Sequence, residues 1–518
     1  MVGNRDTREI LAYHEATKHS PQSVRASHYT LDWENRPLPF KIYPDLDPIP
    51  LPRDFAEPAI PALTAIAGRS TANSGSGDAR SPDLPALSRV LQLSAGITKR
   101  KRHPGGEIYL RAYANTGALH HVDLYLVTGD LGALPAGAYH FGPHDFALTR
   151  LREGDWRGVL VEASGGDPEL ERAPVVVVSA STYWRNSWKY QARAWRHCFW
   201  DAGTLHANLL AAAATEQLAP RIVLGWADGP VERLLGLDPR CEGALTCVPL
   251  GQALRPAPPA SSPTELRLAT RPLSRTEVDF PEIRRAHAAS SLVDRDEART
   301  WRGKASERKE PAPKGALTRL RLDSSPPGES LDRVIRRRGS TRAFDRARSI
   351  SFAALSRALE CASADIPADF LAPPEGALLD LYLIVNAVEG LAPGSYSYRR
   401  AERSLELLRE GRFRSEAGHL ALDQPLAADA AVDVYSLVDL TRVLDRFGNR
   451  GYRAAQLEGG ITGGRLYLAA YAQGFGATGL TFYDDEVTEF FSPHAAGKSV
   501  MFLVALGYAD RTALGLVR

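Results

Sequence analysis

The chain repeats itself at long range. Residues Arg193–Ile222, RAWRHCFWDAGTLHANLLAAAATEQLAPRI, share a pattern with Asn449–Leu480, NRGYRAAQLEGGITGGRLYLAAYAQGFGATGL. Arg193 pairs with Arg450, Trp195 with Tyr452, Arg196 with Arg453, Gly203 with Gly460 and Leu209 with Leu466, all at one offset (466 − 209 = 257). The same offset pairs Tyr125 with Tyr382, Gly137 and Tyr139 with Gly394 and Tyr396, and Leu151–Gly154 with Leu408–Gly411. A period this long describes two globular copies rather than a solenoid, whose repeats run about 20 to 50 residues. Within the later stretch, Leu457, Ile461, Gly464 and Leu468 fall at i, i+4, i+7 and i+11, so each copy is built on one long, buried helix that a glycine-rich segment stops.

Length agrees with duplication, because 518 residues exceed a single core of about 100 to 200. Apolar residues make up 44% and the net charge is +2, which offers no electrostatic attraction to nucleic acid or a membrane surface. Four cysteines (Cys198, Cys241, Cys247, Cys361) without a CxxC form neither a disulfide framework nor a structural zinc site. The N-terminus lacks the apolar run of a secretion signal, and no stretch of about 18 apolar residues appears, so a cytoplasmic protein is expected.

Residues 1–80 read as an extended arm: 37–52 are punctuated by proline, and Ser70–Ser81 is a Ser/Gly/Ala loop. Residues 81–251 form the first copy, with helical spacing over Leu84–Thr98 and strands at Val122–Val127, Val175–Ser179 and Thr246–Leu250. Residues 252–330, rich in Pro, Ser, Arg and Glu, are a linker. The second copy, 331–518, has helices through Arg337 and over Phe352–Cys361, strands near Leu381–Val385, Val432–Val438 and Val500–Leu506, and its long helix. Helices and strands mixed around a central helix predict an α+β fold.

The sharpest local signal is RRRGSTRAF, Arg336–Phe344. If the backbone extends there, Arg338, Ser340 and Arg342 point one way, and two guanidiniums with a hydroxyl suit a phosphate. A solvated basic turn is the competing reading. GFGATG, Gly474–Gly479, spells GxGxxG, but a dinucleotide fingerprint needs a strand before it and here a helix precedes it. His120–His121 and His14 with His19 lack the three or four converging ligands of a zinc site, so no metal is expected.

RRxSxRxF opening a domain, LAPGSYSY, a long central helix and GATGL before YDDE resemble the nitroreductase fold, whose members bind FMN. The first copy, and the N-terminal YHEATKHS, are more specifically similar to the SagB-like branch, the azoline dehydrogenases of peptide-modifying clusters. The resemblance covers roughly residues 80–518. It implies that Arg338, Ser340 and Arg342 hold the flavin's phosphate and ribityl chain, and that Thr478, Gly479 and Leu480 lie along the isoalloxazine.

It also implies that Lys189–Tyr190 in WKYQARAWR is the pair that serves in proton removal, a role that a partly buried lysine with a lowered pKa can fill. A lysine and tyrosine that merely cap a helix entry are the alternative. The second copy has Arg446–Phe447 there and has lost the pair. In the first copy, RAYANTGALHHV keeps Arg111, Gly117 and Ala118 of the branch's arginine-PSAGA pattern but not the proline and serine, and that copy shows no RRxSxRxF.

Nitroreductases are generally homodimers with flavin at the interface, so the tandem chain is expected to fold as its own pseudo-dimer with one composite FMN site. The leading reading is an FMN-dependent dehydrogenase oxidising a small heterocycle or an amino-acid- or peptide-derived group, working with biosynthetic-cluster partners. An NAD(P)H-dependent flavin reductase and a flavin-free scaffold or peptide-binding protein are the alternatives. Further homo-oligomerisation is left open. Trp184, Trp188, Trp195 and Trp200 surround the Lys-Tyr segment; most are expected to pack the core and interface, and aromatic faces near a flavin shaping a substrate pocket are the alternative.

Overall fold

The computed structural model describes residues 3–68, 80–103, 106–302, 310, 312–322, 328–372 and 376–510. Most of the Ser70–Ser81 loop lies outside the described residues. An N-terminal helix α1 (Arg8–Ala16) precedes the first copy, which runs α2 (Leu84–Ala95), a hairpin of β1 (Ile97–His103) and β2 (Gly106–Arg111), then β3 (Val122–Thr128), β4 (Gly137–Gly142), β5 (Ala147–Glu153), β6 (Val175–Thr182), α3 (Trp184–Tyr190), α4 (Ala194–Thr215) and β7 (Glu242–Leu250). Two helices, α5 (Pro281–Ala289) and α6 (Arg295–Arg302), lie in the connecting stretch. The second copy runs α7 (Leu331–Arg337), α8 (Phe352–Ser363), β8 (Leu379–Val385), β9 (Gly394–Arg399), β10 (Ser404–Glu410), β11 (Val432–Val438), α9 (Arg450–Ala472), β12 (Gly476–Gly479) and β13 (Ser499–Gly507).

The repeat governs this architecture. β3 and β8 start 257 residues apart (379 − 122), as do β6 and β11 (432 − 175) and β7 and β13 (499 − 242). Each copy holds an antiparallel sheet with the same core order, β5-β4-β3-β6-β7 in one and β10-β9-β8-β11-β13 in the other. Short strands blunt one outer edge of each sheet: Pro48–Pro50 of the arm pairs with β5, and Leu317–Arg319 of the connecting stretch pairs with β10.

The long helices α4 and α9 run side by side in the same direction. Trp195 stacks on Tyr452 at 5.8 Å, Trp200 Nε1 donates to Gln456 Oε1, Gly203 meets Gly460, and Gly464 meets Thr204 and Ala207. The contacts advance together along both helices, so the pseudo-two-fold axis lies along the pair. Small residues at these positions let the backbones touch, and both helices are buried on every side instead of along one face. The chain is an intrachain pseudo-dimer.

The arm and the connecting stretch are more ordered than their composition predicts. Ile10 and Tyr13 of α1 join the central core, as do Ile283, Leu292 and Trp301 of the connector. Proline-rich composition conceals these few large anchors. No helix among the described residues is long and apolar enough to cross a membrane. The four cysteines are free thiols, three of them buried.

Candidate functional site

Ser330 caps α7 by accepting from Arg333 N, and the chain leaves the helix at Arg338 with φ −50° and ψ 139°. The backbone is extended there, and side chains alternate. A Cβ at Gly339 would face Tyr471 Oη at 3.6 Å, and Thr341 packs on Gly476. On the opposite side, the Arg338 guanidinium lies 5.8 Å from the Tyr467 ring and Ser340 Oγ is 3.2 Å from Tyr467 Oη.

Arg338 crosses the seam between the copies. Its Nε donates to the Ala112 carbonyl at 3.0 Å and its Nη2 to the Arg111 carbonyl at 2.9 Å. Only Nη1 is left with a weak contact, 3.4 Å to the Gly339 carbonyl. Arg342 is exposed and makes no hydrogen bond or ion pair among the described residues. The expected clamp is therefore divided: Arg338 splices the halves, while Ser340 and Arg342 stand open.

The first-copy loop that meets it is pinned from below by Asp201 of α4. That carboxylate accepts from Asn115 Nδ2 (2.8 Å), Thr116 N (3.0 Å) and Thr116 Oγ1 (2.7 Å), and bonds His121 Nε2 (2.8 Å). Held this way, Gly117 and Ala118 take φ of 65° and 54°. A Cβ on Gly117 would sit 2.8 Å from Tyr190 Oη, so the missing proline and serine have not prevented a close approach here.

Lys189 and Tyr190 end α3 beside this loop, with Lys189 Nζ 5.3 Å from the Tyr190 ring centre. Packing around Lys189 lowers its pKa, and the nearby Arg342 and Arg36 lower it further, although the side chain remains open by surface area. Burial raises the Tyr190 pKa, with Asp201 adding and Arg342 opposing. Arg342 of the second copy thus lies near enough to the Lys-Tyr pair of the first to shift both. At the seam, Lys99 is likewise held below its ordinary value by burial, then Arg338 and Lys101.

Thr478 and Gly479 lie on β12, opposite Ala505 and Val504 of β13, and Leu480 N donates to the Leu503 carbonyl at 3.1 Å. Thr478 is buried and Gly479 is exposed. Gly479 N donates to Tyr467 Oη, the hydroxyl that also meets Ser340, so one tyrosine joins the strand to the clamp. No helix N-terminus follows this glycine segment directly, which removes the dinucleotide reading. Among the described residues no ion pair neutralises Arg342 or Lys99, so with the Ser340 hydroxyl these residues fit a flavin phosphate.

The symmetry-related location has a different lining, with a small cavity beside Arg446 and Phe447. Trp301 of α6 packs on Phe447 at 5.3 Å and donates Nε1 to its carbonyl at 2.8 Å, and Asn4 Nδ2 donates to the same oxygen at 3.1 Å. Ile222 N donates to the Pro367 carbonyl (2.8 Å), and Asp369 accepts from Leu224 N and Gly225 N. Among the described residues, Asp228, Glu232 and His287 form a trio close enough to suggest a metal, but Arg450 and Arg453 occupy Asp228 at 2.7 and 2.8 Å.

Sequence reading missed Asp201, Arg36 and Lys99. Asp201 was visible as the one acid of its long helix, matched by Glu458 at the 257 offset, which accepts from Leu378 N at 2.9 Å.

The nitroreductase family model matches residues 79–252 and again 335–508, and the chain belongs to that family, in tandem. It is 26% identical over 200 residues to the trifolitoxin-processing protein TfxB of Rhizobium leguminosarum bv. trifolii, covering 36% of this chain and 54% of that protein. It also resembles two putative nitroreductases. MJ1384 of Methanocaldococcus jannaschii is 29% identical over 112 residues, covering 21% of this chain and 57% of the relative. The Anabaena variabilis crystal structure superposes with a TM-score of 0.77 at 26% identity, covering 97% of this chain and 99% of that one. The chain spans about half the length of the curated relatives it matches.

Proposed function

We propose that this chain is an FMN-dependent oxidoreductase of the SagB-like dehydrogenase type, with one composite site per chain, oxidising a small heterocycle or an amino-acid- or peptide-derived group. The observation that carries the reading is the seam itself: Arg338 of the second copy hydrogen-bonds the first copy's Arg111–Ala112 backbone, next to the loop on which Tyr190 rests.

Flavin, when bound, supplies the hydride acceptor. Ser340 and Arg342 would hold its phosphate and ribityl chain, Gly117 and Ala118 would leave room for it, and Thr478–Leu480 would flank its ring. Lys189, with its lowered pKa, takes the proton that leaves as the substrate is oxidised, and Tyr190, pushed toward its protonated form, donates a hydrogen bond beside it. The likeness to TfxB, a trifolitoxin-processing protein, supports the peptide-derived substrate.

The test is flavin stoichiometry with turnover. One FMN per chain is expected, and Lys189→Ala should keep flavin while slowing turnover about 100-fold or more. Two tightly held FMN per chain would contradict the single-site reading, and a colourless protein would favour a scaffold. Rapid anaerobic bleaching by NADPH would favour a reductase instead.

A further inference from the structure

Arg193 opens the central helix α4 and is 4% exposed. Its Nη1 donates to the Thr17 carbonyl and to Asp484 Oδ2 at 3.0 Å. Its Nε and Nη2, both buried, have no hydrogen-bond partner among the described residues. These two N–H groups share one edge of the planar guanidinium, the edge that grips a carboxylate with two parallel bonds. The rings of Phe482 and Trp200 lie 5.3 and 5.7 Å from its central carbon. An unmade pair of charged hydrogen bonds in the interior is costly enough to need an explanation.

The duplicated chain contains its own control. Arg450, the counterpart 257 residues on, spends the same edge on backbone carbonyls: Nε and Nη2 both donate to Leu224 O, at 3.0 and 2.8 Å, and Nη2 also to Trp226 O at 3.3 Å. Its Nη1 takes both oxygens of Asp228. The residue matching Leu224 in the other copy is Thr481 (481 − 224 = 257), immediately after Leu480, and its carbonyl is not engaged by Arg193. The edge is therefore satisfied by backbone at Arg450 and left unpaired at Arg193. One turn along α4 from Arg193, His197 packs edge-on against Tyr190. Charge follows the same asymmetry. Arg193 and Arg196 share Asp484 alone, whereas Arg450 and Arg453 have Asp228 and, through His287, Glu232.

We propose that the open edge of Arg193 binds a carboxylate of the substrate, between Trp200 and Phe482, and so orients the reacting carbon toward the flavin and Lys189. This rests on the oxidoreductase reading above, and it makes the substrate an acid.

The flavin-loaded protein is titrated with benzoate and with neutral benzamide, reading flavin absorbance and the thermal midpoint. Benzoate should bind saturably and benzamide should not. Arg193→Gln should weaken benzoate about tenfold or more with flavin content unchanged. Arg193→Lys, which keeps a charge but not the two-pronged edge, should lose affinity too.

Wild-type benzoate affinity in either variant, or no discrimination between benzoate and benzamide, overturns the proposal. So does loss of flavin in Arg193→Gln with benzoate affinity unchanged, since the edge would then serve the cofactor. Should Arg193→Gln not fold, Arg193→Lys decides alone. A wild-type chain without flavin sinks the oxidoreductase reading. A benzoate-induced rise in the thermal midpoint that Arg193→Gln or Arg193→Lys abolishes would uphold the anion site even then.

Discussion

Gly203 lies against Gly460, its own counterpart across the pseudo-two-fold axis. A Cβ on Gly203 would come 2.6 Å from Gly460 Cα, and one on Gly460 would come 2.4 Å from the Trp200 carbonyl oxygen. Neither helix can yield, because both are buried along nearly their whole length. Gly460→Ala should therefore destabilise the chain by about 1–3 kcal/mol, read as a lower urea midpoint, with flavin affinity falling as the halves part. The double variant Gly203→Ala/Gly460→Ala should depart from additivity, since the two sites touch.

Backbone strain sits directly after the Lys-Tyr pair. Gln191 has φ 50° and ψ −141°, a region natural to glycine, and its counterpart is a glycine, Gly448, at φ 66° and ψ −160°. Gln191→Gly should raise the unfolding midpoint by relieving about 1–3 kcal/mol of strain, partly offset by glycine's extra unfolded-state entropy. Turnover should fall as Lys189 and Tyr190 loosen. Gly448→Gln should destabilise without touching the reaction centre.

Asp201 holds the loop that carries Gly117. Asp201→Ala strands the buried donors Thr116 N and His121 Nε2, and a cost of about 3 kcal/mol is expected from denaturant curves. The FMN dissociation constant should rise in parallel. Asp201→Asn, which keeps one acceptor oxygen, should fall between.

The pH profile should carry the signature of the crowded cations. Burial, Arg342 and Arg36 lower the Lys189 pKa, so turnover that needs the neutral amine should rise with pH through a midpoint below the ordinary lysine value. Arg36→Gln removes one of these charges and should shift that rising limb to higher pH. An unmoved limb would separate Lys189 from the titrating step.

Asp433 in β11 is fully buried, and burial drives its pKa well above the ordinary value, with Arg414 only partly opposing. Its Oδ1 has no hydrogen-bond partner among the described residues. A carboxyl raised in the folded state binds more protons there than in the unfolded chain. Stability is therefore lost as pH rises above the unfolded value of about 4 and stops falling only beyond the folded pKa. Asp433→Asn should stabilise the protein at pH 7 and do little at pH 4, measured by thermal unfolding at both.

Much of this was legible in the residues because local spacing and long repeats need no tertiary knowledge. Helix Leu331–Arg337 ends where Arg338 begins to extend, and the strand at Val432–Val438 follows from its β-branched run. What escaped depended on partners far along the chain. Arg338 reads as a phosphate ligand until its bonds to Arg111 and Ala112, more than 220 residues away, are seen. Trp301 reads as one aromatic in a charged connector until it lands on Phe447. The open edge of Arg193 is invisible in sequence, since Arg450 looks the same there.

Trp301 also bears on how such a chain comes about. Two separate identical subunits must alter both clefts whenever they alter one, so neither can be surrendered. Once the subunits are joined, the joining segment can belong to one seam, and a tryptophan in it can reshape that seam while the other stays untouched. Fusion thus lets the two clefts of one molecule diverge.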